Sequence, residues 1–307
     1  MGFRHDRDHL EVVTQNPTTL RRLLAAAASV GALFAAGSAS AEMQLQWQER
    51  DVARMVSLGG SCNRCELSGR NLSGATFTGA SFVSATLVGT NLRGAELVGS
   101  NFSSSDFSRA DLHGAELVGS NFASAIFNSA VLNGAEAQGA NFARADLTDA
   151  NLNLAELVGA NMNSAILTRA NLSGAELFGT TLANVSARNS NFSDAKLNAA
   201  NMANGDFSSS SFVNAEMDGA RLSGATFSRS NFTDASLNRA DIRGADLSRA
   251  TGLTQAQIST ACGDSTTRLP RNLTARTCTR VVIRAPRPPA PPAPPQPRRN
   301  IVIADTN

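Results

Sequence analysis

Residues 145–164 read ADLTD-ANLNL-AELVG-ANMNS, and the five-residue beat of that stretch runs far in both directions. From Leu67 to Leu247 every fifth residue is large and apolar, with only Ala137 and Ala187 as exceptions. Two residues before each stands a small one, usually Ala, as at Ala75, Ala80, Ala85, Ala95 and Ala110. Between the two lies Asn, Asp, Glu, Ser or Thr, and a short polar residue and often Gly follow. A period of five fits neither a helix at 3.6 nor a flat strand at 2. It fits a chain that takes a short extended step and then turns. The small and the large residue, two apart, then point to the same side. A longer period supports closure. Ala-Glu recurs at 95, 115, 135, 155, 175 and 215, with Ala195-Lys196 in the gap, a spacing of 20. Four steps and four turns make one square coil, and stacked coils repeat at roughly 4.8 Å.

Pentads such as Ala145-Asp146-Leu147-Thr148-Asp149 and Ala170-Asn171-Leu172-Ser173-Gly174 resemble the pentapeptide-repeat family, whose pattern is A-(D/N)-L-x-x. The resemblance spans residues 62–250. It implies an all-β solenoid, a right-handed four-sided parallel β-helix of about nine coils and roughly 44 Å. Leu or Phe would fill the centre, with Ala beside it. At 20-residue spacing Phe82, Phe102, Phe122 and Phe142 form one column, and Phe192, Phe212 and Phe232 another. Each buried large side chain contributes about 1.5–3 kcal/mol, so a thin rod needs no globular core. Val185 is oversized for the small site and Ala187 undersized for the centre, an exchange of volume that packing tolerates.

The ends read differently. Residues 1–41 look like an export signal, with Arg21-Arg22, an apolar run from Leu23 to Ala36, and Ala39-Ser40-Ala41 as cleavage site. The expected location is periplasmic or secreted after cleavage near Ala41. No other apolar run is long enough to span a membrane. Residues 42–61 are expected to cap the first coil with a short amphipathic helix, using Leu45, Trp47, Val52, Met55 and Val56. Residues 251–284 form a C-terminal cap. Thr254 and Gln257 make a capping box over a helix at 254–262, and Gly263 is expected to end it. Residues 285–307 are a Pro-rich basic tail.

The chain has 307 residues, no Tyr, one Trp, three His and only 17% charged residues. The net charge of +2 conceals a partition. Residues 62–250 carry 13 Lys/Arg and 17 Asp/Glu, whereas residues 251–307 carry eight Arg and two Asp. The tail reads as a solvated linker, as a weak tether to an anionic envelope surface or an acidic partner, or as a Pro-motif ligand for a partner domain.

Catalytic chemistry is sparse. Cys62-Asn63-Arg64-Cys65 has C-x-x-C spacing but opens the solenoid rather than a helix, which favours a structural bridge over redox or metal chemistry. Bridged Cα atoms lie within about 7 Å, so Cys62 pairs with Cys65 and Cys262 with Cys278, across a rod of roughly 44 Å. His113 stands alone, and no base is available for a triad. No catalytic residue, cofactor or metal is expected. The most unusual surface feature is the column Glu96, Glu116, Glu136, Glu156 and Glu176. Beside it the register points Val98, Val118, Gln138, Val158 and Phe178 outward, with Leu154 at the adjoining corner. An apolar stripe edged by charge marks a contact face for a protein partner or a second copy.

The sequence therefore points to an exported, non-enzymatic scaffold or interaction rod of the bacterial cell envelope. Two alternatives are carried. The resemblance implies a DNA-mimic, gyrase-binding role of the quinolone-resistance kind, but export and the weak net charge of the repeat point away from a nucleic-acid-like surface. A thiol-disulfide role would rest on Cys62 and Cys65.

Overall fold

The computed structural model describes residues 60–278. The chain divides into Met1–Asp51 and Val52–Asn307, and every described residue belongs to the second unit. The expected leader at 1–41, the cap through residue 59 and the tail at 285–307 lie outside the described residues.

Parallel bridges join each outer residue to the one 20 positions on, from Ser61↔Ser81 through Asn231↔Thr251. Four columns result, and each wall is named here by one member: Asn121, Asp146, Asn171 and Glu136 in chain order. The backbone accounts for four of the five N–H groups of a pentad. Glu96 N donates to Ala75 O in the coil before at 2.9 Å, and Leu97 N donates to Glu116 O in the coil after at 2.7 Å. Gly99 N reaches Val118 O at 2.9 Å, and Ala95 N closes the corner on Leu92 O at 3.0 Å. The second turn residue must be left-handed. Gly174, at φ +65°, meets that without strain, while Leu154 and Arg169 adopt 57° and 60° there. For such side chains the conformation costs about 1–2 kcal/mol.

The core is a stack of buried side chains. Phe82, Phe102, Phe122 and Phe142 lie with ring centroids 4.6–5.6 Å apart. Phe192, Phe212 and Phe232 stack at 5.1 Å. Two further columns, Phe107–Phe127 and Phe207–Phe227, occupy the Asp146 wall. They meet the first two edge-on, as between Phe122 and Phe127 at 72°. Such pairs add stabilisation beyond their area. Where a Ser replaces the small Ala, its buried hydroxyl finds a carbonyl, as Ser105 does on Phe82 O at 2.6 Å.

Val185 and Ala187 are both buried, and the next coil answers them with the reverse pair, Gly205 and Phe207. A Cβ on Gly205 would overlap the Phe207 ring and lie 3.2 Å from Val185 Cγ2. Glycine is there for space.

The regular pairing ends in a cap. Helix α1, Gln255–Thr260, opens with the Thr254/Gln257 capping box and buries Ile258. It replaces a strand on the Glu136 wall. Gln257 Nε2 donates to Phe232 O and Ala235 O, and Arg239 N donates to Thr260 O. Strands β1 (Cys262–Gly263) and β2 (Arg276–Thr277) pair in parallel below the Asn121 wall. The bridges Asp241↔Cys262 and Asp246↔Arg268 lengthen the step to 21 and then 22 residues. Gly263 does not end the helix as expected. Ala261 does so in an extended conformation, and Gly263 is a buried strand residue. An added Cβ at Gly263 would lie 2.9 Å from Thr267 Oγ1 and 3.0 Å from Ala275 Cβ.

Candidate interaction surface

The outer position decides what happens to the fifth N–H, that of the first turn residue. On the Asn121 wall, Asn121 Oδ1 accepts from Ala123 N at 3.1 Å and Asn141 Oδ1 from Ala143 N at 3.1 Å. The same side chains bond one another: Asn121 Nδ2 to Asn101 Oδ1 at 3.1 Å, and Asn141 Nδ2 to Asn121 Oδ1 at 3.0 Å. Asparagine carries both donor and acceptor, so the ladder satisfies itself. Asp146 caps Thr148 N in the same way.

The Glu136 wall lacks that closure. Glu96, Glu116, Glu136, Glu156 and Glu176 form one continuous column, and it continues to Lys196 and Glu216. Ionised carboxylates only accept. Neighbours at roughly 4.8 Å repel by about 0.9 kcal/mol in water, less with salt. Among the described residues the only ion pair in this column is Lys196–Glu176, at 2.6 Å. Lys196 and Glu176 are about half exposed, so the pair adds little to stability. No Glu of the column caps the following N–H. The amides of Val98, Val118, Val158 and Phe178 find no acceptor among the described residues.

At the corner beside this column Phe178 is 55% exposed and Val158 36%, with Leu154 at 62% on the other side of the wall. Val98 and Val118 point the same way but are half-buried. Gln138 interrupts the column. Its Nε2 donates to Glu156 Oε2 at 2.5 Å, and its Oε1 is buried with no donor. The Leu154 side chain lies over Gly174, where an added Cβ would meet its Cδ2 at 2.8 Å. Sequence reasoning missed Ile126 and Ile166, exposed on the opposite wall either side of Asp146. Their signal was present, since both put a β-branched apolar residue where the pattern asks for a polar one. It also missed a cavity of about 540 Å³ further along the Glu-to-Asn corner, lined by Asp218, Gly219, Asn238, Arg239 and Thr260.

The remaining candidates are held in local contacts. Cys62 and Cys65 are bonded in the first coil with Cα atoms 5.4 Å apart, and Cys262 and Cys278 in the cap at 4.7 Å. Asp241 stands beside the second bridge. Both sulfurs are committed to each other, so no thiolate is presented to a metal. His113 Nδ1 meets Asn133 Nδ2 at 2.6 Å. Among the described residues no helix is long and apolar enough to cross a membrane.

A family model for pentapeptide repeats matches eight stretches between residues 61 and 251. Among solved structures, HetL from the cyanobacterium Nostoc, a pentapeptide-repeat protein involved in heterocyst differentiation regulation, is 31% identical. The alignment covers 66% of this chain and 89% of HetL, with a TM-score of 0.54. A pentapeptide-repeat protein of the Arabidopsis thaliana thylakoid lumen is 29% identical over 32% of this chain and 72% of its own, with a TM-score of 0.28. QnrB1, a plasmid-mediated fluoroquinolone resistance protein, is 17% identical over 67% and 94%, with a TM-score of 0.37. No curated protein matches. The fold is the right-handed quadrilateral β-helix.

Proposed function

Because the chain belongs to the pentapeptide-repeat family, we propose that it is an exported, non-enzymatic interaction rod of the bacterial envelope, and that its Glu136 wall is the working face. The observation that carries this reading is the pairing of a column of exposed carboxylates, without an ion pair from Glu96 to Glu156 among the described residues, with exposed apolar groups. Glu96, Glu116, Glu136 and Glu156 face solvent beside Val158 and Phe178, while the neighbouring Asn wall is closed on itself. The partner is a protein that offers donors and apolar surface, or a second copy. Export rests on the Arg21-Arg22 and Ala39-Ser40-Ala41 pattern. A DNA mimic would need acid on every side. Here the Arg side chains at 109, 169, 229 and 249 line one corner of the coil.

Two measurements test the reading. Fractionation should find the mature chain outside the cytoplasm, and a cytoplasmic chain ends the envelope assignment. Leu154→Ser with Val158→Ser and Phe178→Ser should melt like the wild type yet lose co-purifying protein or self-association in sedimentation. Unchanged association would leave the face as plain wall.

A further inference from the structure

Among the described residues the exposed large apolar side chains fall on two opposite walls and their corners. On the Asp146 wall they are Ile126 and Ile166. The carboxylates of that wall are half-buried and turned to their own corner. Asp106 Oδ1 accepts from Ser108 N at 2.8 Å, and Asp146 Oδ1 from Thr148 N at 3.0 Å. Exposed arginines stand at both edges, Arg144 at one and Arg109, Arg169 and Arg188 at the other. Over residues 101–200 this wall and its corners carry four Arg and three Asp. The Glu136 wall and its corners carry five acidic residues and one Lys over the same coils. One wall is thus apolar in the middle with cations at its edges, and the opposite one is acidic in the middle with apolar corners.

The spacings agree. Ile126 and Ile166 are two coils apart, about 10 Å, and so are Val118 and Val158. The chain runs in opposite directions on opposite walls of a coil. A second copy moved sideways without rotation therefore turns its Asp146 wall to the Glu136 wall, with its Arg109 corner on the Leu154 side. Stepped across by half a wall, its Ile column meets the Val118–Val158 corner and its Arg109 corner meets the Glu column. With Ile126 level with Val118, Arg109 falls at the level of Glu96 and Arg169 at that of Glu156. Reversing the second rod brings only Arg144 of residues 101–200 to the Glu column. Charge therefore selects the parallel arrangement.

We infer that the rod binds a second copy of itself, side by side and parallel, with the Asp146 wall of one copy on the Glu136 wall and Val/Phe corner of the next. The inference rests on the Glu136 wall being a contact face, as proposed above. It adds Ile126, Ile166, Arg109 and Arg169 as the surface that fits it. The two surfaces are different patches of each copy, so the contact does not close on itself and rows of rods grow.

The test is sedimentation velocity of the full mature chain, with variants alone and mixed. The wild type should form species larger than a dimer whose size rises with concentration. Raising NaCl from about 0.1 M to about 0.5 M should weaken the association roughly tenfold. Ile126→Ser with Ile166→Ser should melt like the wild type and sediment as a monomer, and so should Val158→Ser with Phe178→Ser. Arg109→Glu with Arg169→Glu should give the same monomer by setting like charges on the Glu column. Mixed one to one, the isoleucine variant and the Val158/Phe178 variant should recover a dimer and nothing larger, because the only intact pair of surfaces lies between them. A monomeric wild type, a wild type that stops at a closed dimer, an isoleucine variant that associates like the wild type, or a mixture that stays monomeric would each overturn the inference. The contact-face reading has a separate readout. If the wild type is monomeric and the Leu154, Val158 and Phe178 variant still loses co-purifying protein, the face binds another protein and only the self-association falls.

Discussion

The Asn121 and Glu136 walls share a backbone, a register and a corner, and they differ in one side chain per coil. On the Asn wall Asn121, Asn141 and Asn161 each cap their own turn and bond the coil before, so that stretch has little left to offer. On the Glu wall the side chain is one carbon longer and has lost its donor. The turn amides of Val98, Val118, Val158 and Phe178 are uncapped among the described residues and the carboxylates point outward. The solenoid tolerates both because its stability lies in the inner column and the backbone ladder. The outer position is therefore where a coil can carry function at small structural cost.

That division is broken most severely from inside. Phe122 is fully buried between Phe102 and Phe142. Phe122→Asp should abolish folding or lower stability by about 4 kcal/mol or more, since it adds an unpaired charge to a lost aromatic. Asn121→Asp, one residue away, keeps the cap on Ala123 and loses one ladder bond, about 1 kcal/mol. Similar melting curves for the two would refute the five-residue register.

Exchanging the walls' chemistry sharpens the contrast. Asn141→Leu removes a cap and two ladder bonds, and should cost about 1–2 kcal/mol by thermal melting. Glu136→Asn should do the opposite. It supplies a cap for Gln138 N, relieves two repulsions, and should stabilise by about 0.5–1 kcal/mol. If both substitutions destabilise equally, the Asn ladder is not what distinguishes the walls.

The smallest effect concerns a carboxylate that does have donors. Asp264 in the cap is held down to about 2, first by the Thr266 hydroxyl and also by the N–H groups of Thr266 and Gly244 and the Thr267 hydroxyl. Its folded value lies below the ordinary one of about 3.9, so its contribution is complete above that pH. It is lost as pH falls through about 2. Carboxyl titration by NMR should give a midpoint near 2. Thr266→Ala should move that midpoint upward, and an unmoved midpoint would remove the hydroxyl as its cause.

The period, the walls and the Phe82 and Phe192 columns were legible because the inner positions obey one steric rule every five residues. Val185 with Ala187 was legible for the same reason, although its answer in Gly205 and Phe207 lies a coil away and emerged only from the packing. The Asn ladder could have been read from Asn101, Asn121, Asn141 and Asn161, which sit 20 apart. The cap was harder. Gly263 after a helix resembles a stop signal, yet its smallness serves Thr267 and Ala275. The cavity at Asp218 and Thr260 is closed on one side by α1, which stands where the repeat would place a strand and which the five-residue pattern does not announce. On the candidate face, sequence alternation gave the direction of Val98 and Val118 but not how far their neighbours cover them.

The unbroken pairing of residue n with n + 20 makes the rod a ruler graduated in whole coils. Excising residues 101–120 joins Ser100 to Asn121 and keeps every wall in phase, so that Phe82 lies on Phe122 and Glu96 next to Glu136. Excising only five residues turns all that follows by a quarter and sets the Glu column against an Asn column. Length can thus change by duplication or loss of twenty residues without redesigning any surface. Insertions and deletions of five, ten or fifteen residues inside the repeat rewrite the faces while leaving the core pattern intact.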